Sequence, residues 1–564
     1  MKKFVLSALM AVAVVAAHPT RVLAQTACPA TSTPVTVSGS ITGATTWTRN
    51  NIYLLSGFVY VRSGGVLTIE PGTIIKGDKA SKGSLIVEPG GQILANGTAA
   101  QPIVFTSNEP AGSRSRGDWG GVIILGRAPV NLAGTPTIEG GVGSTYGGNL
   151  PNDNSGVFRY VRIEFSGIPF QPNSEINGLT MGGVGAGTTI SHVQVHSCGD
   201  DSFEWFGGSV NAKYLISNSA TDDDFDSDNG FTGRMQYGLA IRGANVADVS
   251  GSTAFESDND NGGSANTPQT APVFSNFTAL LQNRTATANF TRALHLRRNT
   301  AISVFNSVLA GWPQGLFIDG AAAQANATAG TLVLRNNVLA GMTAPYGVDP
   351  TSGFNHQTFF EDANRGNQVF AAASALGLNA DNYNDFNSNG TPNGVPDLAL
   401  PAASALTAGA SFADAKLTGA GNGGPNSTFD VVSYRGAFGP ASTVGANWAA
   451  GWTNFNPQIT CYNTPGQTLS NRDVFNNPLQ SLTVSPNPTD GAAPTLAFDV
   501  QRTATATVRV VDMMGRTVAT VLTAGKLAAG PQRLSLPATL AAGVYMATVN
   551  TGEAVQSVRF VVTK

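Results

Sequence analysis

The chain repeats one pattern three times, as DDSFEW at residues 200–205, DDDFDSDNG at 222–230 and AFESDNDNG at 254–262. Phe203, Phe225 and Phe255 stand at equivalent places in the three segments, and the two spacings between them, 22 and 30 residues, are both even. Successive side chains of a strand point to opposite faces. The pattern therefore predicts stacked strands with phenylalanines on one face and acidic residues on the other.

This stacking would bring like charges together. Glu204, Asp226 and Glu256 would lie above one another at about 4.8 Å per rung, where two carboxylates repel by roughly 3.5 kcal/mol at an effective dielectric constant of about 20. Residues 200–260 hold twelve acidic residues and only three basic ones, Lys213, Arg234 and Arg242, although the whole chain has a net charge of only −3. We therefore expect a positive group or a bound cation at this acidic flank.

Calcium suits such a flank because it takes about six to eight oxygen ligands. The predicted ligands are the carboxylates of Asp200, Asp201, Glu204, Asp222, Asp224, Asp226, Asp228, Glu256, Asp258 and Asp260. We expect Asp222, Asp224, Asp226 and Asp228 to alternate along one strand face. The alternative is a solvated acidic flank that holds no fixed ion.

A second candidate calcium site is DFNSNG at 385–390. Asp385, Asn387 and Asn389 fit the first half of a calcium-binding loop, but Pro396 stands where such a loop carries its glutamate. Turns rich in Asn and Gly are also common without a metal.

Further repeats predict an all-β solenoid. VLTIEPGTII at 66–75 recurs as SLIVEPGGQIL at 84–94, and Asn276, Asn306 and Asn336 follow one another at intervals of 30 residues. Repeats of this length predict rungs that bury their apolar faces against one another, and asparagines stacked at a turn can hydrogen-bond along the stack. We predict a right-handed parallel β-helix over residues 25–350, with the handedness taken from the general crossover rule. Late rungs, loops and a C-terminal cap are expected over 351–480.

The first residues predict export. Lys2 and Lys3 precede an apolar run over 4–17, which is typical of a signal peptide, here residues 1–24. No later stretch reaches the about 18 apolar residues of a transmembrane helix. The three cysteines, Cys28, Cys198 and Cys461, allow one disulfide and one free thiol, and a Cys28–Cys461 bond would tie the two ends of the main domain.

The last 80 or so residues change character. SPNPT at 485–489 is followed by alternating strands in ATVRVVDMMGRTV at 506–518, LAAGVYMATV at 540–549 and VRFVVTK at the end. These motifs resemble the type A C-terminal sorting domain of the Bacteroidetes type IX secretion system. The resemblance implies a small Ig-like β-sandwich over 481–564 that is handled by the type IX secretion machinery. It also implies transport across the outer membrane, with removal of the domain or its exchange for a surface anchor.

The body of the chain shows a second resemblance. IEPGTIIKGDK, GDWGGVIILG, DDSFEWFGG and GWTNFNP are similar to segments of secreted Bacteroidetes β-helix proteins that usually carry the same tail. The resemblance implies fold and export. It implies no catalytic residues.

Other motifs predict less. His192, His196 and Cys198 alternate, but the histidines would be about 13 Å apart on a strand, so surface histidines and an isolated thiol are expected rather than a zinc site. Gly199-Asp200-Asp201 resembles the paired aspartates of β-helix polygalacturonases, without their companion motifs. Trp205 shares the parity of Phe203 and is expected in the core rather than on a sugar-binding surface.

The leading hypothesis is a secreted or surface-attached β-helix protein that binds calcium and serves adhesion, glycan binding or matrix structure. The rival is a calcium-dependent polysaccharide lyase or glycoside hydrolase. An extracellular polysaccharide is a candidate partner, beside the type IX secretion machinery. A pI near 6.0 gives no basic surface for nucleic acid. A groove with a base beside the acidic rungs would favour the enzyme, and a flat or loop-covered flank would favour binding.

Overall fold

The computed structural model describes residues 28–171, 174–282, 289–379, 396–443, 445–466, 479–490, 492–500, 503–512, 516–528, 530–551 and 555–563. The predicted signal peptide and the second candidate calcium loop, with Asp385, Asn387 and Asn389, lie outside the described residues.

The main body is a parallel β-solenoid, as the repeats predicted, built on one sheet of 26 strands plus one small antiparallel pair, β11 and β12. Its strands are β1 (Val35–Ile41), β2 (Ala44–Trp47), β3 (Ile52–Val61), β4 (Val66–Ile69), β5 (Ile74–Gly77), β6 (Ser84–Val87), β7 (Gln92–Asn96), β8 (Ile103–Ser107), β9 (Val122–Leu125), β10 (Gly156–Glu164), β11 (Pro169–Gln171), β12 (Ser174–Glu175), β13 (Leu179–Val184), β14 (Thr189–His196), β15 (Phe203–Gly208), β16 (Asn211–Asn218), β17 (Phe225–Asp228), β18 (Arg234–Arg242), β19 (Phe255–Ser257), β20 (Val273–Leu281), β21 (Arg292–Leu296), β22 (Ser303–Phe305), β23 (Val308–Ala310), β24 (Gln314–Ile318), β25 (Val333–Arg335), β26 (Val338–Ala340), β27 (Ala344–Tyr346) and β28 (Gln368–Phe370).

Short helices interrupt the later rungs. The α-helices are α1 (Ala321–Ala329) and α2 (His356–Phe360), and 3-10 turns span Ala363–Arg365, Ala373–Leu376, Ala415–Leu417 and Pro457–Ile459. Phe359 and Phe360 of α2 join the main hydrophobic core.

One stack of strands carries the acidic flank. It runs β6, β9, β13, β15, β17, β19, β21, β24 and β27, each paired in parallel with the next. Phe203 pairs with Phe225 and Phe225 with Phe255, so the predicted register is confirmed. All three phenylalanines lie in the core, where they stack on one another with ring centroids 5.7 and 5.3 Å apart.

The predicted asparagine stack is displaced by one residue. Asn276, Asn306 and Asn336 adopt left-handed φ angles of 60°, 53° and 58° at a corner of the rungs. The hydrogen bonds along the stack come from the neighbouring position, where Ser307 donates its backbone N–H to Asn337 Oδ1 at 3.0 Å and Asn337 donates to Asn367 Oδ1 at 2.8 Å. The corner favours asparagine for its backbone conformation, because asparagine tolerates this region better than most residues.

Residues 396–443 and 445–466, the lateral strap, lie along the side of the solenoid, within the span for which the sequence predicted late rungs, loops and a cap. Trp452, Phe438 and Leu406 of the strap form a second core with Ile216 and Leu280 of the rungs. Polar contacts follow the same course: Arg234 donates to the backbone oxygens of Lys416 and Gly419, and Gln194 exchanges hydrogen bonds with the backbone of Asn454. Near its end the strap is joined to the first described residue by the Cys28–Cys461 disulfide.

The C-terminal residues form two antiparallel sheets. Their strands are β29 (Leu479–Ser485), β30 (Thr495–Val500), β31 (Ala504–Asp512), β32 (Thr517–Leu527), β33 (Gly530–Ser535), β34 (Gly543–Asn550) and β35 (Val555–Val562). The orders are β29-β30-β33 and β32-β31-β34-β35, and a separate apolar core contains Val508, Ala547 and Phe560. This arrangement agrees with the predicted small β-sandwich.

Candidate metal centre

The outward side chains of the acidic stack change in character from rung to rung. Thr180 pairs with Glu204, Glu204 with Asp226, and Asp226 with Glu256. Glu256 pairs in turn with His295, and His295 with Phe317. The three predicted acidic residues therefore do stack directly, and the next rung supplies a different chemistry.

A second file of polar side chains runs beside this column, at the turns that precede the strands. Asp201 donates its backbone N–H to Asn177 Oδ1 at 3.3 Å. Asp223 donates to Asp201 Oδ1 at 2.6 Å, and Thr253 donates to Asp223 Oδ1. Each side chain thus accepts a hydrogen bond from the backbone N–H of the corresponding residue on the next rung. The ladder fixes the Asp201 and Asp223 carboxylates while using one oxygen of each.

These fixed carboxylates are the centre of two overlapping groups of possible metal ligands. One oxygen each from Asp200, Asp201 and Asp222 lie within 4.8 Å of one another, and so do single oxygens from Asp201, Asp223 and Asp226. Asp201 belongs to both groups. The two groups together contain five carboxylates, and carboxylate oxygens are the ligands that cations such as calcium prefer.

The five carboxylates are shielded from water. Asp201 and Asp223 are 6% and 5% exposed, and Asp200, Asp222 and Asp226 are partly buried. The Oδ1 atoms of Asp222 and Asp226, one from each group, are fully buried and make no hydrogen bond. A buried carboxylate oxygen without a partner is costly, so these two atoms need a proton or a cation.

Burial also changes the acidity of the cluster. Burial, together with the neighbouring Asp223 carboxylate, raises the pKa of Asp201 well above its usual range, and burial with Glu256 does the same for Asp226. Burial and the nearby Asp248 raise the pKa of Asp222 to about 7. In the absence of a cation these groups therefore hold protons at a pH where free aspartate has lost them.

Asn177 links Glu204 to Glu139, a second glutamate that the sequence did not predict at this site. Asn177 Nδ2 donates to Glu139 Oε1 at 2.7 Å and also to Glu204 Oε2. Burial raises the pKa of Glu139 to about 7 and that of Glu204 well above its usual range. Glu139 comes from a long loop over residues 126–155, outside the rung register, so no repeat in the sequence pointed to it.

The positive groups at the flank come from the rung of β21. Arg297 binds Glu256 and donates from Nε to Asp258 Oδ1 at 2.9 Å, and Arg298 Nη1 lies 2.8 Å from Asp258 Oδ2. His295 Nδ1 lies 3.2 Å from Glu256 Oε2. Glu256 and Asp258 are therefore brought together by basic side chains, one rung away from the five-carboxylate cluster. Leu294, the partner of Phe255 in β21, lies 39 residues further along the chain. Because this spacing is odd, the sequence pattern did not predict the register of β21.

Three other predicted ligands lie apart from the cluster. Asp224 does not share the face of Asp226, because the strand begins at Phe225; it is fully buried, accepts from Ser217 Oγ and faces Arg242 Nη1 at 3.9 Å. Asp228 accepts from the Asn229 backbone, and burial raises its pKa to about 7. Asp260 accepts from Gly262 and Ser264 within its own loop.

Two of the three basic residues counted near the flank bind the lateral strap, and the third, Arg242, is buried beside Asp224. Lys213 Nζ lies 2.8 Å from Asp430 Oδ1 in the lateral strap, and Arg234 binds strap carbonyl oxygens. Arg242 donates to the backbone oxygens of Thr253 and Ala220 and is fully buried.

The loop over residues 126–155 lies against the flank. Asn131 Nδ2 donates to the Asn259 oxygen at 2.7 Å, the Pro129 oxygen accepts from Gly208, and Asn229 Nδ2 lies 3.4 Å from Tyr146 Oη. The loop therefore covers the flank at the C-terminal ends of β15, β17 and β19.

The histidine prediction was wrong in part. His196 is 1% exposed and binds the Phe455 oxygen under the lateral strap, and burial lowers its pKa to about 3. His192 is half-buried and stacks between Tyr160 and Tyr214, with ring centroids 4.2 and 4.3 Å apart. Cys198 is a buried free thiol, and Trp205 lies in the core as predicted.

Comparison with known families agrees with this architecture. Residues 39–391, more than half of the chain, match the pectate-lyase-like β-helix domain. The chain belongs to that family. Residues 483–563 match the secretion system C-terminal sorting domain, which implies handling by the type IX secretion system and export to the cell surface or the extracellular space. No curated protein matches the chain. Among the described residues, none of the helices is long and apolar enough to cross a membrane.

Proposed function

We propose that this exported β-helix protein binds calcium at the five-carboxylate cluster and uses the ion to hold an anionic extracellular glycan or matrix component. The proposed ligands are Asp200, Asp201, Asp222, Asp223 and Asp226. The observation that carries the proposal is that two clusters of three carboxylates share Asp201. Each cluster contains one fully buried oxygen that lacks a hydrogen-bond partner.

The charge distribution supports a cation at this place rather than along the whole flank. Glu256 and Asp258 have Arg297 and Arg298 as counter-charges, whereas the charge that acts most strongly on each of the five proposed ligands is that of another carboxylate. Calcium accepts irregular oxygen shells at about 2.3–2.6 Å, and it keeps ligand positions open for water or for an external carboxylate.

Binding is favoured over catalysis by the surroundings of the site. A lyase or a hydrolase needs a group that is free to move a proton at the sugar. Arg297, a basic side chain whose charge reaches Asp226, is held by Glu256 and Asp258. Glu139 and Glu204 both accept from the Asn177 amide and lie within hydrogen-bonding reach of each other, closer than the roughly 5–9.5 Å between the paired carboxyl groups of glycosidases.

A polysaccharide panel tests the proposal. The mature protein should be retained by anionic polysaccharides in calcium and released by a chelator, without new reducing or unsaturated ends. Asp201→Asn should lose this retention, and the matched control Asp260→Asn should keep it, because Asp260 is already satisfied within its loop. New sugar ends that depend on calcium would establish the enzymatic alternative instead. Retention unaffected by chelation would contradict the role of the ion.

A further inference from the structure

The cysteine pair at the ends of the main body differs from an ordinary structural disulfide in its surroundings. Cys28 and Cys461 are separated by 433 residues of sequence. Cys461 is exposed and Cys28 is only half-buried, so an external thiol can approach the bond. Exposed disulfides are the ones that exchange readily, because exchange requires a thiolate to reach one of the two sulfur atoms.

The two chain segments joined by the disulfide are held very differently. Residues 28–34, the N-terminal arm, have no regular secondary structure, and none of these residues is buried. Among the described residues, hydrogen bonds also join the arm to the strap: Ser32 donates to the Asn463 oxygen, and Asn463 Nδ2 donates to the Pro29 oxygen, both at 2.8 Å.

The end of the lateral strap, by contrast, is anchored by buried contacts. Tyr462 is fully buried and donates to Glu164 Oε1 at 2.8 Å. Arg114, which is 3% exposed, donates to the backbone oxygens of Pro457 and Thr460. These contacts do not depend on the disulfide, so loss of the covalent bond should free the arm and leave the strap in place.

We propose that Cys28–Cys461 is a thiol-exchange site in the folded protein, with a dithiol as the reacting class, and that its reduction releases the N-terminal arm alone. One thiolate of the dithiol attacks Cys461 Sγ, the bond between the cysteines breaks, and Cys28 leaves as a thiolate that takes up a proton. The second thiol then attacks the mixed disulfide and frees Cys461. The products are two protein thiols and the cyclic oxidised dithiol.

The third cysteine, Cys198, is not expected to take part in this exchange. Cys198 is fully buried in the main core, and burial raises the pKa of its thiol to about 12. A buried neutral thiol is a poor nucleophile, so reduction in the folded state should give two reactive cysteines rather than reshuffled pairs.

The experiment uses the mature, exported full chain, dithiothreitol as the dithiol, and alkylation followed by peptide mass spectrometry. We expect complete alkylation of Cys28 and Cys461 without denaturant, with Cys198 unmodified. Hydrogen–deuterium exchange should become at least about tenfold faster at the Ser32 amide, and residues 454–463 should keep their protection. A disulfide that resists reduction until denaturant is added would overturn the proposal, and so would alkylation of Cys198 together with the other two.

A Cys28→Ser variant separates release of the arm from other effects of the reductant. Its arm should exchange rapidly without dithiothreitol and show no further change when the reagent is added. If the arm of this variant is as protected as that of the wild type, the disulfide is not what holds it, and the proposed release is wrong.

Discussion

Asp226 and Glu256 are paired residues on adjacent rungs of the same stack, and their carboxylates have different partners. Glu256 binds Arg297 and His295, whereas Asp226 Oδ1 is fully buried without a hydrogen-bond partner. The pKa values differ in the same way. Despite burial, the bond to His295 and the charge of Arg297 lower the pKa of Glu256, while burial and the Glu256 carboxylate raise that of Asp226. The unmet need for positive charge therefore lies at Asp226 and on the rungs before it.

Removal of Arg297 should destabilise the flank because it leaves two carboxylates uncompensated. We expect Arg297→Met to lower the free energy of unfolding by roughly 2–3 kcal/mol, less than for a fully buried pair because the arginine side chain is 25% exposed. Adding Glu256→Gln should restore part of the loss, with a coupling energy of about 1 kcal/mol or more in a double-mutant cycle measured by denaturant unfolding. Strictly additive effects would show that the ion pair contributes nothing.

The pH dependence of the calcium-free protein has a defined sign. Burial raises the folded-state pKa values of Asp222, Asp228 and Glu139 to about 7, so the folded state keeps protons that the unfolded state releases near pH 4. Stability should therefore fall as the pH rises through this window, by about 2 kcal/mol or more between pH 5.5 and 7.5.

Two histidines, His192 and His196, change the stability in the opposite direction at lower pH. Burial lowers the pKa values of His192 and His196 to about 4 and about 3, so the protein loses stability as the pH falls below about 6.5. Thermal melts in a chelator should show a maximum in mildly acidic buffer, and calcium should move that maximum upward in pH. A chelated protein that is most stable above pH 7.5 would contradict the raised carboxylate pKa values.

The corner of the later rungs offers a matched pair of substitutions. Asn337 donates from Nδ2 to the Val304 oxygen and accepts from Ser307, and it is fully buried, so Asn337→Ala should cost about 1–3 kcal/mol. Asn336 is half-buried with a φ of 58°, a conformation that glycine adopts readily, so Asn336→Gly should change stability by less than about 0.5 kcal/mol. Equal losses in urea unfolding would contradict the assignment of the ladder to Asn337.

The rungs and their register could be predicted because phenylalanine and acidic residues alternate with even spacings, and Phe203, Phe225 and Phe255 pair as expected. The remaining residues of the site could not be predicted from the sequence. Arg297 follows a spacing that breaks this parity, and Glu139 arrives from a loop outside the rungs. Asp224 lies at a turn, where strand alternation does not apply. The position of the lateral strap could not be predicted either. It contacts residues such as Gln194 and Arg234, and no sequence repeat relates the strap to the rungs that carry them.

The most direct test of the calcium site is the melting temperature in calcium and in chelator, for the wild type, Asp201→Asn and the control Asp260→Asn. Ligand binding to the folded state alone stabilises by about 2.7 kcal/mol at a hundredfold excess over Kd. We expect calcium to raise the melting temperature of the wild type and of Asp260→Asn, magnesium to do so less, and Asp201→Asn to lose most of the response. If chelation leaves the wild-type melt unchanged and Asp201→Asn is simply more stable in both conditions, the cluster is a repulsive surface without an ion, and the proposed site is wrong.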